Sequence, residues 1–476
     1  MSTTENENST PPPVAARLSF WDTVSIIVGI VVGTAIFRSS TAVFQSVSGP
    51  VMALAVWTLG GLVSWCGAVC YAELATTYPR DGGDYEYLNR AFGRWCGFLF
   101  GWAQLTTVVS GNIGIMAYAF ADYAVRLWPR LQVFSVWLAI APILLLSLTN
   151  ALGVVAGKAT QNLLSILKVA GLAGVVLAGL WAATLPAAPT PTLPANAESN
   201  FGLAMVFVLY AFGGWSHAAY VAAEVRNERS SLPRALVIGI CCITVIYLAV
   251  TAAYLAALGL DGARATATPA ADVLERAVGP WGGRAISLLV MLSALGAING
   301  MILTATRIYA TLGADYPALA WLANWDRRHA APVAAIAAQA VVATLVMLAV
   351  GTETGRRFCD AALGTVGLAP LPWKKFFGGF ETLVAGSAPV FWGFFLLTGL
   401  SVFLLRRQSA LPRPFSIPLF PLPPIVFCAA SAYMLYASLS YARWLSLLGF
   451  LPLALGIGVW ACIRPRTGSD LDHKDL

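Results

Sequence analysis

Charged residues are scarce in this sequence. Asp, Glu, Lys and Arg make up only 11% of its 476 residues, whereas soluble domains carry about 25%. Hydrophobic residues make up 58%, and the mean hydropathy is +0.74. Over this length, such a composition excludes an ordinary soluble protein and indicates an all-α chain that crosses a membrane many times.

The sequence also lacks the residue sets that metal proteins, enzymes and nucleic-acid-binding proteins use. The eight cysteines show no metal-ligand spacing, and there are only three histidines, His217, His329 and His473. A membrane enzyme would need a nucleophile with a base, or metal ligands, in one constellation. The net charge of +7 contains no basic run of the kind that binds nucleic acid. We expect no metal, no cofactor, no nucleic-acid partner and no enzymatic activity.

Apolar segments long enough to cross a bilayer, which takes about 20 residues, occur twelve times. They lie near residues 19–45, 51–77, 93–127, 133–151, 159–184, 200–225, 235–260, 281–312, 331–350, 379–405, 417–440 and 442–463. Twelve spans put both termini on one side, and the loops of that side are richer in Lys and Arg than the opposite loops. This bias predicts cytoplasmic termini and a protein of the plasma (inner) membrane. Residues 1–17 lack the pattern of a signal peptide and are predicted to be a disordered cytoplasmic tail, with a second tail at 464–476.

Glycines interrupt two of these spans in the middle. Span 1 contains "IIVGIVVGTAIF" (26–37), and span 6 contains "FVLYAFGGWSHAAY" (207–220). Irregular backbone at membrane depth is tolerated only where it is buried in protein or lines a cavity. Matching breaks in two five-helix halves indicate an inverted-repeat transporter. The alternative is that Gly29 and Gly33 form a GxxxG motif that serves helix packing alone.

The two breaks would expose backbone groups of both polarities. The N-terminus of a half-helix offers free N–H groups and a partial positive charge, which suit a carboxylate. Unwound carbonyl groups suit a cation such as an ammonium group. A ligand that carries both charges close together is an α-amino acid. Neither break contains an acidic residue that would favour a Lys or Arg side chain, so the sequence predicts neutral amino acids.

Five motifs in fixed order resemble the amino acid–polyamine–organocation (APC) superfamily, and most closely the L-type amino acid transporters and their prokaryotic relatives. The resemblance implies a LeuT-type fold of twelve transmembrane helices, a 5+5 inverted repeat with helices 1 and 6 broken. The repeats would be residues 18–184 and 198–407, the second with an outer insertion at 352–378, and the last two helices would lie within 416–463. The motifs are "IIVGIVVGTAIF", "CYAELATTYPRDGGDYEYLNRAFG", "YAFGGWSHAAYVAAEVRNERSSLPRAL", "SALGAINGMILTATRIYATLGAD" and "RPFSIPLFPLPPIVF".

The resemblance also implies which residues bind substrate. The span 1 break would hold the carboxylate, and the span 6 break would offer carbonyl groups to the amino group, with two glycines giving backbone freedom. Tyr210 has the position of an aromatic gate, and Trp215 is a second gate candidate. The substrate-binding candidates are Gly33, Thr34, Ala35, Tyr210, Ala211, Phe212, Gly213 and Gly214.

The side-chain pocket is less defined by the resemblance. The family usually has Gly where this chain has Ala35, and Ser216 and His217 also depart from its pattern. These departures leave the side-chain preference open. His217 is a candidate for proton relay, for substrate contact or for simple packing. Spans 3 and 10 contribute the further pocket candidates Ser110, Asn112 and Ser387.

Lys168 is the only charged residue in the interior of span 5. A charged Lys inside a span costs roughly 2.5–3.5 kcal/mol, which favours a functional role over snorkelling to the interface. In similar proton-coupled and exchanging transporters, a Lys in this motif takes the place of a sodium ion. Its ammonium would link the carbonyl groups near Gly29 to span 8 at Ser293. The resemblance therefore implies sodium-independent transport, by exchange or proton symport.

Other features concern gating and partners. Glu73 and Glu224 end spans 2 and 6, where ion pairs with the nearby Arg80 and Arg226 would form an inner gate, although solvated helix ends are the simpler interpretation. The loop after span 3, "RLWPRLQ" (126–132), contains no Cys, so no disulfide-linked heavy chain is expected. Two alternative functions stay open: transport of amines or polyamines, and a non-transporting amino acid sensor.

Overall fold

The computed structural model describes residues 18–186, 200–266, 268–326, 331–365, 367–371, 373, 379–408 and 411–463, without the side chains of Arg38, Phe380 and Glu381. The predicted tails at 1–17 and 464–476 lie outside the described residues. So do His329, His473 and a large part of the loop between spans 5 and 6.

The described chain is almost entirely helical. Short 3-10 turns connect several helices, and a single π-helical turn at Gln104–Val108 joins α5 to α6. The α-helices are α1 (Phe20–Val31), α2 (Ala35–Ser46), α3 (Pro50–Thr77), α4 (Asp84–Phe92), α5 (Arg94–Ala103), α6 (Val109–Leu127), α7 (Ser135–Ala151), α8 (Val154–Ala183), α9 (Phe201–Ala211), α10 (Glu228–Ala265), α11 (Pro269–Val278), α12 (Trp281–Asp315), α13 (Val333–Gly351), α14 (Glu353–Thr365), α15 (Gly379–Gln408), α16 (Leu422–Ala442) and α17 (Leu447–Cys462).

Ten helical segments of the described chain are long and apolar enough to cross a membrane. One of them, Leu422–Cys462, contains both predicted spans 11 and 12, which are separated by a 3-10 turn at Arg443–Ser446. Predicted span 1 is divided into α1 and α2, and each is shorter than a bilayer requires. The all-α membrane fold is thus confirmed, whereas the count of twelve helices stays a prediction.

The first broken helix is surrounded by protein. Residues on one side of α1, including Ile27 and Val31, belong to a buried apolar cluster with α3, α9 and α10. Residues on another side, Ile26 and Ile30, belong to a second cluster with α6, α12 and α13. Because both faces of α1 are buried against other helices, its end is protected from lipid, as an interrupted membrane helix requires.

The start of α1 is fixed by a local cap and by a long-range contact. Ser19 and Asp22 form a capping box, in which the Ser19 hydroxyl accepts from the Asp22 N–H at 3.2 Å and the Asp22 carboxylate accepts from the Ser19 N–H at 2.9 Å. Just before it, Leu18 pairs with the end of the span 6 region: its N–H donates to the Glu224 carbonyl, and its carbonyl accepts from the Arg226 N–H, both at 2.9 Å. The two broken spans are therefore joined at this end.

The predicted outer insertion contains one short amphipathic helix. α14 covers Glu353–Thr365, with Leu363 buried and Phe358 exposed. Asp360 anchors the following segment by accepting from the Leu371 N–H at 3.0 Å and from the indole N–H of Trp373 at 2.9 Å. Residues 374–378 lie outside the described chain.

Candidate functional site

The break in span 1 is a tight backbone turn. α1 ends at Val31, α2 begins at Ala35, and Val32 between them has φ −74° and ψ 65°. These angles are those of an inverse γ-turn, and the Gly33 N–H accordingly donates to the Val31 carbonyl at 2.7 Å. The turn separates the end of one half-helix from the start of the next.

The start of α2 presents unused N–H groups at this turn. Among the described residues, no hydrogen-bond acceptor lies within reach of the N–H groups of Thr34, Ala35 or Ile36. Thr34 does not cap the helix with its side chain. Three adjacent donors at a helix N-terminus, where the helix dipole adds partial positive charge, form a site for an anion such as a carboxylate.

The break in span 6 begins where α9 ends, at Ala211. Gly214 has φ +108°, a left-handed conformation that favours glycine, and the chain continues as a 3-10 helix at Trp215–Glu224. A Cβ at Gly214 would also lie 2.7 Å from the Ile30 side chain, so this glycine allows the two breaks to approach closely. The sequence correctly predicted both interruptions from their glycines.

A tyrosine of α10 connects the two breaks. The Tyr247 hydroxyl lies 2.9 Å from the carbonyl oxygen of Val31, the last residue of α1. It lies 3.0 Å from the carbonyl oxygen of Ala211, the last residue of α9. The side chain is fully buried against Trp57 and Phe212. Tyr247 therefore holds both half-helix ends in register and uses part of the acceptor capacity of Ala211.

A cavity of about 90 Å³ lies between the two breaks. Six of the eight predicted substrate-binding residues line it, together with three polar candidates from the sequence and apolar side chains of α6, α12 and α15. Its lining includes Gly33, Ala35, Tyr210, Ala211, Gly213, Gly214, Asn112, His217, Ser387, Met116, Met301, Val384, Ala388, Phe391 and Trp392.

The lining does not include Thr34, Phe212, Ser110 or Trp215. Phe212 packs its ring on Trp57 and Tyr247 instead.

Trp215, the second gate candidate, does not line the cavity, and its gate role stays a prediction. Its buried indole packs against Tyr71, Phe395 and Phe427, at ring-centroid distances of 5.0, 5.5 and 6.2 Å. The indole thus lies within this aromatic cluster and not among the residues that line the cavity. The tryptophan that does line the cavity is Trp392 of α15.

Lys168 lies fully buried in α8 and reaches the end of α1. Its ammonium donates to the Gly29 carbonyl at 2.6 Å. It lies against α12 at Gly296, where a Cβ would be 3.3 Å from Nζ. The predicted link to Ser293 is absent, since the Ser293 hydroxyl donates instead to the Val32 carbonyl at 3.4 Å. Within the described part of the chain, Lys168 has no carboxylate partner.

The ion pairs at the end of spans 2 and 6 differ from those predicted. Glu224 pairs with Arg307 of α12 at 2.6 Å, with both side chains buried, and Glu73 accepts from Arg406 of α15 at 2.6 Å. Proximity in sequence suggested Arg226 and Arg80 as partners. Both glutamates instead face the bundle interior, where arginines from distant helices meet them.

Asp81, in the loop between α3 and α4, lies beside the Glu224–Arg307 pair. Its carboxylate accepts from the Ala223 N–H at 3.0 Å. Burial, and then the negative charge of Glu224, raise the pKa of Asp81 to about 7, although Arg307 opposes this shift. This carboxyl group can therefore change its charge near neutral pH.

Sequence reasoning did not identify Tyr247, Arg307 or Arg406 as parts of this arrangement. It also missed Thr304 of α12, whose hydroxyl lies 2.8 Å from Nδ1 of His217. Each lies in a span of ordinary composition, and its role depends on a partner far away in the chain. An arginine inside an apolar span is the one available signal, and it applies to Arg307 within α12. Nothing in the local pattern distinguishes Tyr247 from other buried tyrosines such as Tyr254.

Comparison with protein families and curated proteins gives consistent matches. The family model described as "Amino acid permease" matches residues 18–462. The serine/threonine exchanger SteT of Bacillus subtilis (strain 168) is 27% identical over 424 residues, which are 87% of this chain and 89% of the relative. The human b(0,+)-type amino acid transporter 1 is 27% identical over 428 residues, covering 87% of this chain and 80% of the relative. The human large neutral amino acids transporter small subunit 2 is 30% identical over 307 residues, 60% of this chain and 55% of the relative.

Among solved structures, Mhp1 in a closed conformation with bromovinylhydantoin bound has a similar fold. Mhp1 is a transporter of the nucleobase-cation-symport-1 family. The TM-score is 0.51 at 13% sequence identity, over 92% of this chain and 96% of that chain. At this identity the likeness shows the LeuT-type fold alone.

Proposed function

The chain belongs to the amino acid permease family, whose model matches residues 18–462, and from this premise we propose that it is a secondary transporter of neutral amino acids that works by exchange. The relatives named above are amino acid transporters and exchangers rather than enzymes. The chain is a multi-pass integral membrane protein with an amino acid as its substrate. Alternating access around the cavity between the two breaks would carry the substrate across the membrane.

One observation carries this proposal. The N–H groups of Thr34, Ala35 and Ile36 form no hydrogen bond among the described residues, and Ala35 lines the same cavity as Ala211 at the carbonyl end of α9. An α-carboxylate at the N–H groups and an α-ammonium at the carbonyl groups would satisfy both ends of the site. An amine or polyamine would leave the three N–H groups without an acceptor, which is costly in a buried site.

Sodium independence is a further part of the proposal. The Lys168 ammonium contacts the Gly29 carbonyl at 2.6 Å and supplies a fixed positive charge at the end of α1. A protein cation at this place would make a bound sodium ion unnecessary. If Lys168 releases its proton during the cycle, the same residue would couple transport to a proton gradient, so proton symport is the alternative coupling mode.

The proposal also covers location and partners. We place both termini in the cytoplasm and the protein in the plasma (inner) membrane, on the basis of the loop charges. The loop 126–132 offers no Cys for a disulfide to a heavy chain. We therefore propose that this chain transports without such a partner, although one relative is described as a small subunit.

Uptake into proteoliposomes tests the function. Purified protein is reconstituted in sodium-free buffer, and uptake of radiolabelled amino acids is measured with internal unlabelled amino acid, with an inward proton gradient, and with neither. We expect uptake that requires internal amino acid. Uptake driven by the proton gradient alone would establish symport instead.

Three further outcomes would contradict parts of the proposal. Strong stimulation by sodium would contradict the role given to Lys168. Uptake of decarboxylated amines in preference to amino acids would establish an amine transporter. Amino acid binding without flux under either drive would leave the sensor function, which a binding assay on the same protein would reveal.

A further inference from the structure

The cavity between the breaks is small and has one polar side. Its volume is about 90 Å³. Met116, Met301, Phe391 and Trp392 limit its apolar side. Because these bulky side chains occupy the apolar side of the cavity, the site suits an amino acid with a short side chain better than one with a long aliphatic or aromatic side chain.

His217 brings an imidazole ring to this cavity from the span 6 break. Its Nδ1 lies 2.8 Å from the hydroxyl of Thr304 on α12, and the ring is buried beside Tyr220. In the described part of the molecule, Nε2 has no hydrogen-bond partner. The ring is therefore fixed at one nitrogen, and the other nitrogen is available.

The Thr304 hydroxyl indicates which tautomer is present. It lies 2.8 Å from the Gly300 carbonyl, to which it can donate its single hydrogen. Donation from Nδ1–H to Thr304 and from Thr304 to Gly300 satisfies both contacts, whereas donation from Thr304 to Nδ1 would satisfy one. In the neutral ring this assignment leaves Nε2 as an acceptor.

Two more polar groups line the same cavity. The amide of Asn112 on α6 has no hydrogen-bond partner among the residues described. The Ser387 hydroxyl on α15 donates to the Leu383 carbonyl at 2.7 Å, and its oxygen can accept another bond. A purely apolar substrate side chain would leave Nε2 of His217 and the Asn112 amide unpaired, whereas a hydroxyl can donate its hydrogen to Nε2 and accept from the Asn112 amide.

Resting on the proposed function, we propose that His217 accepts a hydrogen bond from the side-chain hydroxyl of the substrate, so that the site selects small hydroxyl-bearing amino acids, serine and threonine, over alanine and valine. Nε2 accepts the hydroxyl hydrogen, and Asn112 and Ser387 complete the polar side of the pocket. His217 is thus a specificity residue that touches the substrate.

The test compares pairs of substrates that differ by one hydroxyl. The ratio of kcat/KM for serine to that for alanine, and for threonine to that for valine, is measured in proteoliposomes loaded with unlabelled amino acid. In the wild type we expect each ratio to be about 10, the value of one buried hydrogen bond. In His217→Asn, the amide nitrogen can still donate to Thr304, but no atom occupies the place of Nε2. Both ratios should fall about tenfold, to near 1.

Two other variants make the test specific. His217→Gln can place its amide oxygen near the Nε2 position and should retain part of the preference. Thr304→Val removes the acceptor that orients the ring, and its ratios should fall also. Thr251→Val is the matched control, because the buried Thr251 hydroxyl on α10 has no partner among the described residues, and its ratios should equal those of the wild type.

Each result decides the proposal. A parallel loss of serine and alanine uptake in His217→Asn would mean that His217 contacts the substrate ammonium or serves structure, and would overturn it. A wild-type preference for large neutral amino acids would overturn it while leaving the proposed function intact. Absence of all amino acid uptake by the wild type would mean that the proposed function itself has failed. If His217→Asn does not fold, Thr304→Val against Thr251→Val gives the answer.

Discussion

At Lys168, the proposed function and the stability of the fold make opposite demands. Its ammonium is fully buried, contacts the Gly29 carbonyl and has no carboxylate partner in the described structure. We predict that Lys168→Met lowers exchange at least tenfold, because the end of α1 loses its cation. The same change should leave the apparent Tm equal or higher, since it removes a buried charge that is costly to the fold. Uptake assays and thermal unfolding in detergent measure the two effects.

Lys158→Gln provides the control for this prediction. Lys158 belongs to the same helix, but it is partly exposed and pairs with Asp22 at 3.3 Å near the helix start. We expect exchange within about twofold of the wild type, since exposed ion pairs contribute little. Full exchange activity in Lys168→Met would contradict the coupling role of this residue.

Asp81 is a single residue whose titration should make the stability of the folded protein depend on pH. Because its pKa rises from 3.8 to about 7 on folding, the native state holds a proton between these values that the unfolded state has released. Stability due to this group is therefore greatest at low pH and falls as the pH rises towards 7. We predict that Asp81→Asn, which keeps the oxygen that accepts from Ala223, flattens the decline in Tm between pH 5 and pH 8.

The exposed Asp261, which pairs with Arg264 on the surface, is the matched control. Asp261→Asn should follow the wild-type pH profile. Parallel profiles for the wild type and Asp81→Asn would show that the charge on Asp81 is not responsible for the decline.

At the scale of elements, the two broken helices act as one unit because Tyr247 bridges their ends. Tyr247→Phe removes the hydroxyl that reaches the Val31 and Ala211 carbonyl groups at 2.9 and 3.0 Å. We predict a loss of stability of about 1 kcal/mol and a KM for exchange about five- to tenfold higher, because the breaks lose their common hydrogen bond. Thermal unfolding and concentration-dependent uptake are the measurements.

A second tyrosine of α10 gives a close control. Tyr254 is also fully buried, but its hydroxyl has no partner among the described residues. Tyr254→Phe should therefore be neutral or slightly stabilising, with an unchanged KM. Equal effects of the two substitutions would mean that burial of the ring, and not the bridge, accounts for the result.

The same elements show what the sequence could and could not predict. Gly33 and Gly214 marked both breaks because an apolar span with central glycines is a local pattern. The free backbone N–H and carbonyl groups of the site could be predicted together with the break, because every break in a helix leaves such groups unpaired. Tyr247, Thr304 and the partner of Glu224 could not be predicted, because each depends on which helices the fold brings together. For the same reason, the packing of Trp215 against Tyr71, Phe395 and Phe427 could not be predicted.

On the scale of the whole molecule, ion pairs tie the broken span 6 and its neighbours to helices far along the chain. Glu224, at the end of span 6, pairs with Arg307 of α12, and Glu73 of α3 pairs with Arg406 of α15. The Leu18 backbone pairs with Glu224 and Arg226 at the same end. An alternating-access motion that opens this end must separate at least some of these contacts, so their strength influences how easily the molecule opens.

The Glu224–Arg307 pair allows this argument to be tested by a double-mutant cycle. Glu224→Gln alone leaves the buried guanidinium of Arg307 without its ion-pair partner. Arg307→Met alone leaves the buried carboxylate of Glu224 without its ion-pair partner. Each change should destabilise the fold by about 3–5 kcal/mol. The double variant removes both members of the pair. We predict that its destabilisation is smaller than the sum of the single effects by about 0.5–3 kcal/mol, as measured by unfolding in detergent. If the pair also holds this end closed, the double variant should exchange more slowly than the wild type even under conditions in which the two proteins are equally stable. Additive single effects would instead show that the two side chains act independently and that closure depends on other contacts.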